Sequence, residues 1–256
     1  SSLYSNLIIA ARKNIHRNFE DLMLFEIGPV FTGSKPGEQS TMISAIKTGK
    51  YSRKNWIEKE RNFDVFDIKN DVLRTLNEIG LDNLKIVVSN KTKKWYHPGR
   101  SGLLSLGSTN GPELAYFGEI HPLIIKKLDL RTDNVLGFEI FLDNIPEPRK
   151  KIREAKPQFV VSDYQKVVRD FAFVIDEKYS SGEIIALVKK IDKQLIKTVK
   201  IFDVYQGDNI DTGKKSIAFS VTLEPKDKTL SDKDIDQISK KIISSVQKST
   251  SAILRS

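Results

Sequence analysis

Downstream of residue 180 the apolar positions Ile184, Leu187, Val188, Ile191 and Leu195 recur at steps of three and four. That is the period of a helix with one buried stripe. Ser180-Ser181-Gly182-Glu183 stands just ahead of it, a serine–glutamate pair spaced to satisfy the first free backbone N–H groups of a helix. A second cap, Ser231-Asp232-Lys233-Asp234, precedes the stripe Ile235, Ile238, Ile242 and Val246. Around these helices the alternation changes to a period of two, the pattern of strands. Residues 169–175, 199–205 and 215–223 read as strands, and 252–254 as a short last one. Residues 206–213, rich in Gly, Asp and Asn, read as a turn. The predicted order is β-α-β-β-α-β, the split βαβ unit of ferredoxin-like folds.

Upstream, strands predominate. The pattern predicts a helix over 6–16, strands over 22–31 and 42–47, and a helix over 64–79 with Val65, Ile68, Val72, Leu73 and Leu76 on one face. Strands follow at 84–88, 102–106, 113–120 and 135–142, with a short helix after His121-Pro122. Short connections between strands favour antiparallel pairing, so the expected class is α+β. Pro146, Pro148 and Pro157 bracket the basic run Arg149-Lys150-Lys151, which reads as a stiff, exposed connector. The expected division is a first domain at 1–148, a linker at 149–161 and a second domain at 162–256.

In a ferredoxin-like unit two helices roof one face of the sheet, and alternation assigns side chains to either face. Ile217, Phe219, Val221 and Leu223, together with Phe202 and Val204, form the apolar set expected under the helices. Asp203, Tyr205, Ser216 and Ala218 then form a shallow platform on the open face, beside Lys214 and Lys215. A free tyrosine ring can stack on an unpaired base, and Asp and Ser offer an acceptor and a donor to base edges. The competing reading has Tyr205 packing at a strand end and Asp203 capping a turn. On the first strand Phe171, Phe173 and Ile175 are assigned to the core, although RNA-recognition sheets carry strand aromatics on the open face.

Composition narrows the function. Two domains of ordinary size fit in 256 residues. The chain has no cysteine, which excludes disulfides, thiolate catalysis and cysteine–zinc sites. No apolar run approaches the roughly 20 residues that span a bilayer, and Ser1-Ser2-Leu3-Tyr4-Ser5 has neither the basic nor the apolar part of a secretory leader. A cytoplasmic protein without membrane association is expected. Without an initiating Met the chain reads as a processed or excised piece. The net charge of +9 favours polyanionic partners. Lys189, Lys190, Lys193, Lys197 and Lys200 form one cluster, Lys226 and Lys228 flank a turn, and Lys240, Lys241 and Lys248 lie on the last helix. These could meet phosphates or simply solvate their faces.

Motifs for catalysis are weak. His16, His97 and His121 are isolated in sequence, so no metal site is expected. Tyr96-His97-Pro98-Gly99-Arg100-Ser101 lacks phosphate-loop spacing and reads as a tight turn between strands. Asp64 with Asp67, and Asp232 with Asp234 and Asp236, sit in helical first turns, where negative charge complements the helix dipole. No catalytic residue is assigned.

Five strings in order, Val168-Arg169-Asp170-Phe171-Ala172-Phe173-Val174, Phe202-Asp203-Val204-Tyr205-Gln206-Gly207, Lys215-Ser216-Ile217-Ala218-Phe219, Thr229-Leu230-Ser231-Asp232 and Leu254-Arg255, resemble the ferredoxin-fold anticodon-binding domain that ends the β chain of bacterial phenylalanyl-tRNA synthetases. Leu24-Phe25-Glu26-Ile27-Gly28-Pro29-Val30-Phe31, Phe66-Asp67-Ile68-Lys69, His97-Pro98-Gly99-Arg100-Ser101 and Gly118-Glu119-Ile120-His121-Pro122 resemble the preceding region of that chain. The resemblance implies an antiparallel class II synthetase-like module that has lost catalysis. Leu24-Phe25-Glu26 keeps the glutamate of the second class II motif without its arginine, and so without a bidentate clamp for phosphate or carboxylate. It further implies an α2β2 assembly in which the α chain attaches phenylalanine to its tRNA, with ATP and magnesium used by the whole enzyme and none bound by this part. Asp203, Tyr205 and Ser216 would contact the anticodon. Two other readings remain: a small-molecule-binding regulatory ferredoxin-like protein, or a charge-driven, non-specific nucleic-acid binder.

Overall fold

The computed structural model describes residues 2–81, 85–147 and 162–255. Two compact units divide the chain, Ser1–Glu154 and Ala155–Ser256, each with its own apolar core. The linker expected at 149–161, and Leu84 at the head of an expected strand, lie outside the described residues.

The first unit runs α1 (Tyr4–Ile15), β1 (Leu22–Phe31), β2 (Gln39–Thr48), β3 (Lys50–Ser52), β4 (Arg61–Asn62), α2 (Val65–Glu78), β5 (Ile86–Ser89), β6 (Tyr96–Leu106), β7 (Glu113–Ile120), α3 (Pro122–Lys127) and β8 (Leu136–Phe141). Six strands form one antiparallel sheet in the order β1-β2-β8-β7-β6-β5. On one face α1 packs Tyr4, Leu7, Ala11 and Ile15 against Ile46, Tyr96, Leu103 and Tyr116. On the other, Ile68, Val72 and Leu76 of α2 meet Leu104, Leu114, Phe117 and Phe138. Asp64 and Asp67 are a capping box for α2, as first-turn acids favour.

One expectation is corrected here. The string His97-Pro98-Gly99-Arg100-Ser101 is not a turn between strands but a bulge inside β6, whose register jumps from Tyr96 opposite Ile120 to Ser101 opposite Gly118. Its polar groups are satisfied locally: Gly99 N–H donates to His97 Nδ1 at 3.1 Å, and Ser101 Oγ donates to the His97 carbonyl at 2.6 Å. Gly118 has φ 153°, and a β-carbon there would lie 2.3 Å from that of Ser101. Only a glycine lets the bulged strand pass so close.

The second unit runs β9 (Val167–Asp176), α4 (Ser181–Ile191), β10 (Ile196–Tyr205), β11 (Lys214–Leu223), α5 (Asp232–Thr250) and β12 (Ile253–Leu254). All strand pairs are antiparallel, in the order β10-β11-β9-β12, the split βαβ arrangement. Ser180 and Ser231 cap α4 and α5 through reciprocal bonds with Glu183 and Asp234. Helix α4 stops before Leu195 because the Asp192 carboxylate accepts the N–H groups of Gln194 and Leu195 at 3.0 and 2.9 Å, offering the backbone an alternative to another helical turn. The choice left open for β9 falls to the core: Phe171, Phe173 and Ile175 are buried with Phe219, Ile184, Val188 and Ile242, and the Phe173 and Phe219 rings stack at 5.9 Å.

Candidate nucleic-acid interface

Residues opposite one another in paired strands share a face, so the register sorts the second sheet. Ile201 lies opposite Phe219, on the roofed face. Strict alternation from Ile201 would send Asp203 and Tyr205 under the helices too. Instead a bulge falls between Ile201 and Asp203, with Phe202 as its extra residue, and parity flips. Asp203 then stands opposite Ala218, and Tyr205 opposite Ser216, all on the open face.

The bulge also overturns an assignment. Phe202 and Val204 were expected beneath the helices, yet they are 57% and 49% exposed. Phe202 is displaced because no partner opposes it. Val204 does face the roofed side, opposite buried Ile217, but β10 is the edge strand of this sheet.

Among the four platform residues only the ring of Tyr205 and the carboxylate of Asp203 project. Tyr205 keeps 40% of its surface exposed, whereas Ser216 and Ala218 keep 4% and 9%. The two small residues are a floor, shallow because they sit mid-sheet between β10 and β9. Tyr205 does not swing freely. A β-carbon placed on Gly207 would lie 2.5 Å from its hydroxyl, so the ring rests on a bare α-carbon.

The flanking lysines are partly committed to their own chain. Lys214 Nζ is 2.8 Å from the Asp211 carboxylate, and that bond and charge raise its pKa. Lys215 Nζ donates to the Glu177 carbonyl at 3.1 Å. Lys200 lies opposite Ser220 on the open face. Lys189, Lys190, Lys240, Lys241 and Lys248 belong to α4 and α5, the roof rather than the platform. Lys197 pairs with Glu224 at 3.4 Å and Lys228 with Asp234 at 3.3 Å; Lys193 and Lys226 are exposed. The structure therefore does not bring the lysine clusters to the platform as one basic surface.

The first unit holds a polar row, half-buried at Glu26 and buried at Ser44, Glu139 and Tyr116, that sequence reasoning did not assemble. Glu26, Ser44, Glu139 and Tyr116 lie opposite one another across β1, β2, β8 and β7, on the face that α1 covers. Glu139 is 2% exposed. Burial raises its pKa, opposed by a hydrogen bond from Ser2 Oγ. Tyr4 and Tyr96 pair their hydroxyls beside it, and burial raises both phenols. The alternation of β8 hides Glu139, because Gly137, Phe138 and Ile140 around it are all buried as well. The histidines serve locally: His121 Nδ1 accepts from Leu123 N–H at the start of α3, and His16 Nε2 meets the Asp129 carbonyl at 3.0 Å.

Comparison with known proteins finds a family for each of two stretches of the chain. Residues 1–142 match the family described as "Phenylalanyl tRNA synthetase beta chain CLM domain", and residues 162–255 match "Ferredoxin-fold anticodon binding domain". The phenylalanine–tRNA ligase β subunit of Rhodospirillum rubrum is 43% identical over 255 residues, covering 100% of this chain and 31% of that protein. That of Paramagnetospirillum magneticum is 41% identical over 99% of the chain and 31% of its own length. The chain thus spans less than a third of each of these relatives. Among solved structures, a pyrrolysyl-tRNA synthetase from Desulfitobacterium hafniense overlaps 56% of the chain and 47% of its own, at 15% identity and a TM-score of 0.39.

Proposed function

Because the chain belongs to the phenylalanyl-tRNA synthetase β-chain family, we propose that it is the tRNA-contacting and subunit-scaffolding part of a phenylalanine–tRNA ligase. In this reading the second unit holds the anticodon loop on its open face. Tyr205 stacks on one unpaired base, the Asp203 carboxylate accepts from a base edge, and Ser216 and Ala218 form the floor, with Lys214 and Lys215 at the rim. The observation that carries it is the β10 bulge, which turns Asp203 and Tyr205 together to the unroofed side. Base–aromatic stacking is worth about 1–3 kcal/mol. Tyr205→Ala is therefore expected to weaken binding of a phenylalanine-tRNA anticodon hairpin by about tenfold at fixed low salt, with an unchanged thermal midpoint. Equal affinities would refute the stacking role.

The first unit, in the same reading, is a class II synthetase-like module without catalysis. Glu26 and Glu139 share a face with buried tyrosines under α1, and a triphosphate would need cations there instead. Helix α1 packs over this face, so it is not open to a triphosphate, and in this reading activation of phenylalanine belongs to a partner α chain in an α2β2 assembly of the cytoplasm. Among the described residues no helix is long and apolar enough to cross a membrane. In the second unit the small-molecule alternative has a cleft of about 250 Å³ in its favour, lined by Asp192, Gln194, Glu224, Lys226 and Asp227. That is below the roughly 300–1,000 Å³ of typical ligand pockets, and its lining mixes both signs of charge.

A further inference from the structure

The open face does not end at the middle of the sheet. Strand β12 pairs with β9 with Ile253 opposite Val174 and Leu254 opposite Phe173. Arg255 N–H donates to the Ala172 carbonyl at 2.8 Å, so the register continues one residue past the strand. Two rows then cross all four strands on the unroofed side. One is Tyr205, Ser216, Val174 and Ile253. The other is Asp203, Ala218, Ala172 and Arg255. Their interior positions are small or half-buried, and their ends project. Ile253 is 60% exposed and Arg255 is exposed.

Strands lie about 4.8 Å apart, so the two ends of a row are about 14 Å apart. Four-stranded RNA-binding sheets of this width hold two or three bases. The chemistry of the far end suits the same ligand. Ile253 offers an apolar surface to a base face. A guanidinium grips a phosphate through two parallel N–H bonds, which an ammonium cannot do. Lys214 and Lys215 are already bonded to Asp211 and Glu177. Among the described residues, none of the ion pairs of this unit uses Arg255.

Resting on the RNA-contact reading above, we propose that the bound single-stranded RNA crosses the whole sheet from β10 to β12. Ile253 seats a base farther along the RNA strand than the one stacked on Tyr205, and Arg255 clamps a backbone phosphate at the far edge. Neither side chain belongs to the core. Leu254, between them, lies opposite Phe173 on the roofed face, so both can be changed without touching the packing.

The test uses the full 256-residue chain and an RNA hairpin carrying a phenylalanine-tRNA anticodon loop, with affinity measured by fluorescence anisotropy across a salt series. Arg255→Gln is expected to weaken binding about tenfold and to lower the log–log salt slope by about one, the signature of one lost phosphate contact. Arg255→Lys recovers the slope but not all the affinity. Ile253→Ser weakens binding several-fold and leaves the slope alone. Thermal midpoints stay at the parental value. If Arg255→Gln and Ile253→Ser both bind like the parent while Tyr205→Ala is impaired, the footprint stops short of β12 and this inference is overturned, with the RNA-contact reading intact. If all three variants bind like the parent, or the parent does not bind the hairpin, both fall together.

Discussion

A β-carbon added to Gly207 cannot coexist with the present position of Tyr205, whose hydroxyl and ring carbon Cζ would lie 2.5 and 2.8 Å away. The strained partner is the far end of a half-exposed side chain, so the ring gives way and the fold does not. Gly207→Ala is expected to cost RNA affinity several-fold by turning the ring out of its stacking pose, while the melting temperature moves by no more than a degree or two. Hairpin binding and a thermal melt of the same sample check both halves. A loss of affinity matched by a large drop in melting temperature would mean that Gly207 matters for folding instead. The four residues Asp203, Tyr205, Ser216 and Ala218 were legible in the sequence as one face, but for an incomplete reason. Alternation holds from Phe202 onward; from Ile201 the same period of two sends Asp203 and Tyr205 to the other side. The support by Gly207 and the row ending in Arg255 were not legible, because each depends on a contact or register outside the local string. The closing Leu254-Arg255 pair marked the family without saying where its side chains lie.

At the level of elements, the helices were the most readable part. Caps and three-to-four spacing are local signals, and both capping boxes of the second unit form where Ser180 and Ser231 announced them. Strand existence was readable too, since β1 and β7 run over the expected residues. The bulges were not, because an inserted residue leaves a period-two pattern looking intact on either side of it. This difference has an energetic test on strand β10 and its neighbour. Phe202, the unpaired residue of the bulge, is 57% exposed, whereas Phe219 opposite Ile201 is fully buried between two other rings. Phe219→Ala is expected to cost about 3–5 kcal/mol, in the usual range for a core aromatic. Phe202→Ala is expected to stay within about 0.5 kcal/mol, as surface changes do. Urea unfolding of both variants decides the point: a Phe202→Ala cost approaching that of Phe219→Ala would mean that the bulge is absent in solution and that the face assignment of Tyr205 fails with it.

For the molecule as a whole, the question is whether a chain from a ligase family can perform any part of the ligation by itself. A site that activates an amino acid must hold a triphosphate, and charge stabilisation of that kind needs fixed cations aimed at the phosphates. On the α1-covered face of the first sheet the Lys93 ammonium is already taken up by the Tyr116 ring, 4.8 Å from its centroid. The central row of that face is Glu26, Ser44, Glu139 and Tyr116, and Tyr4, Leu7 and Ala11 of α1 pack over the sheet beside it. Glu139 is buried, and among the described residues no salt bridge holds it: Ser2 Oγ donates a hydrogen bond, and burial favours the protonated form against the pull of that bond and of the Lys93 charge. Opening this face would mean removing α1 and exposing Tyr96 and Tyr116, both now about 1% exposed, a loss of apolar burial worth several kcal/mol. The chain alone is therefore expected to show no phenylalanine-dependent exchange of pyrophosphate into ATP, at any magnesium concentration, while it still binds the anticodon hairpin. Exchange above the blank would contradict the non-catalytic reading of the first unit. Exchange that disappears in Glu26→Gln, with the hairpin affinity unchanged, would go further and locate the activity on the very face that packing appoints to structure.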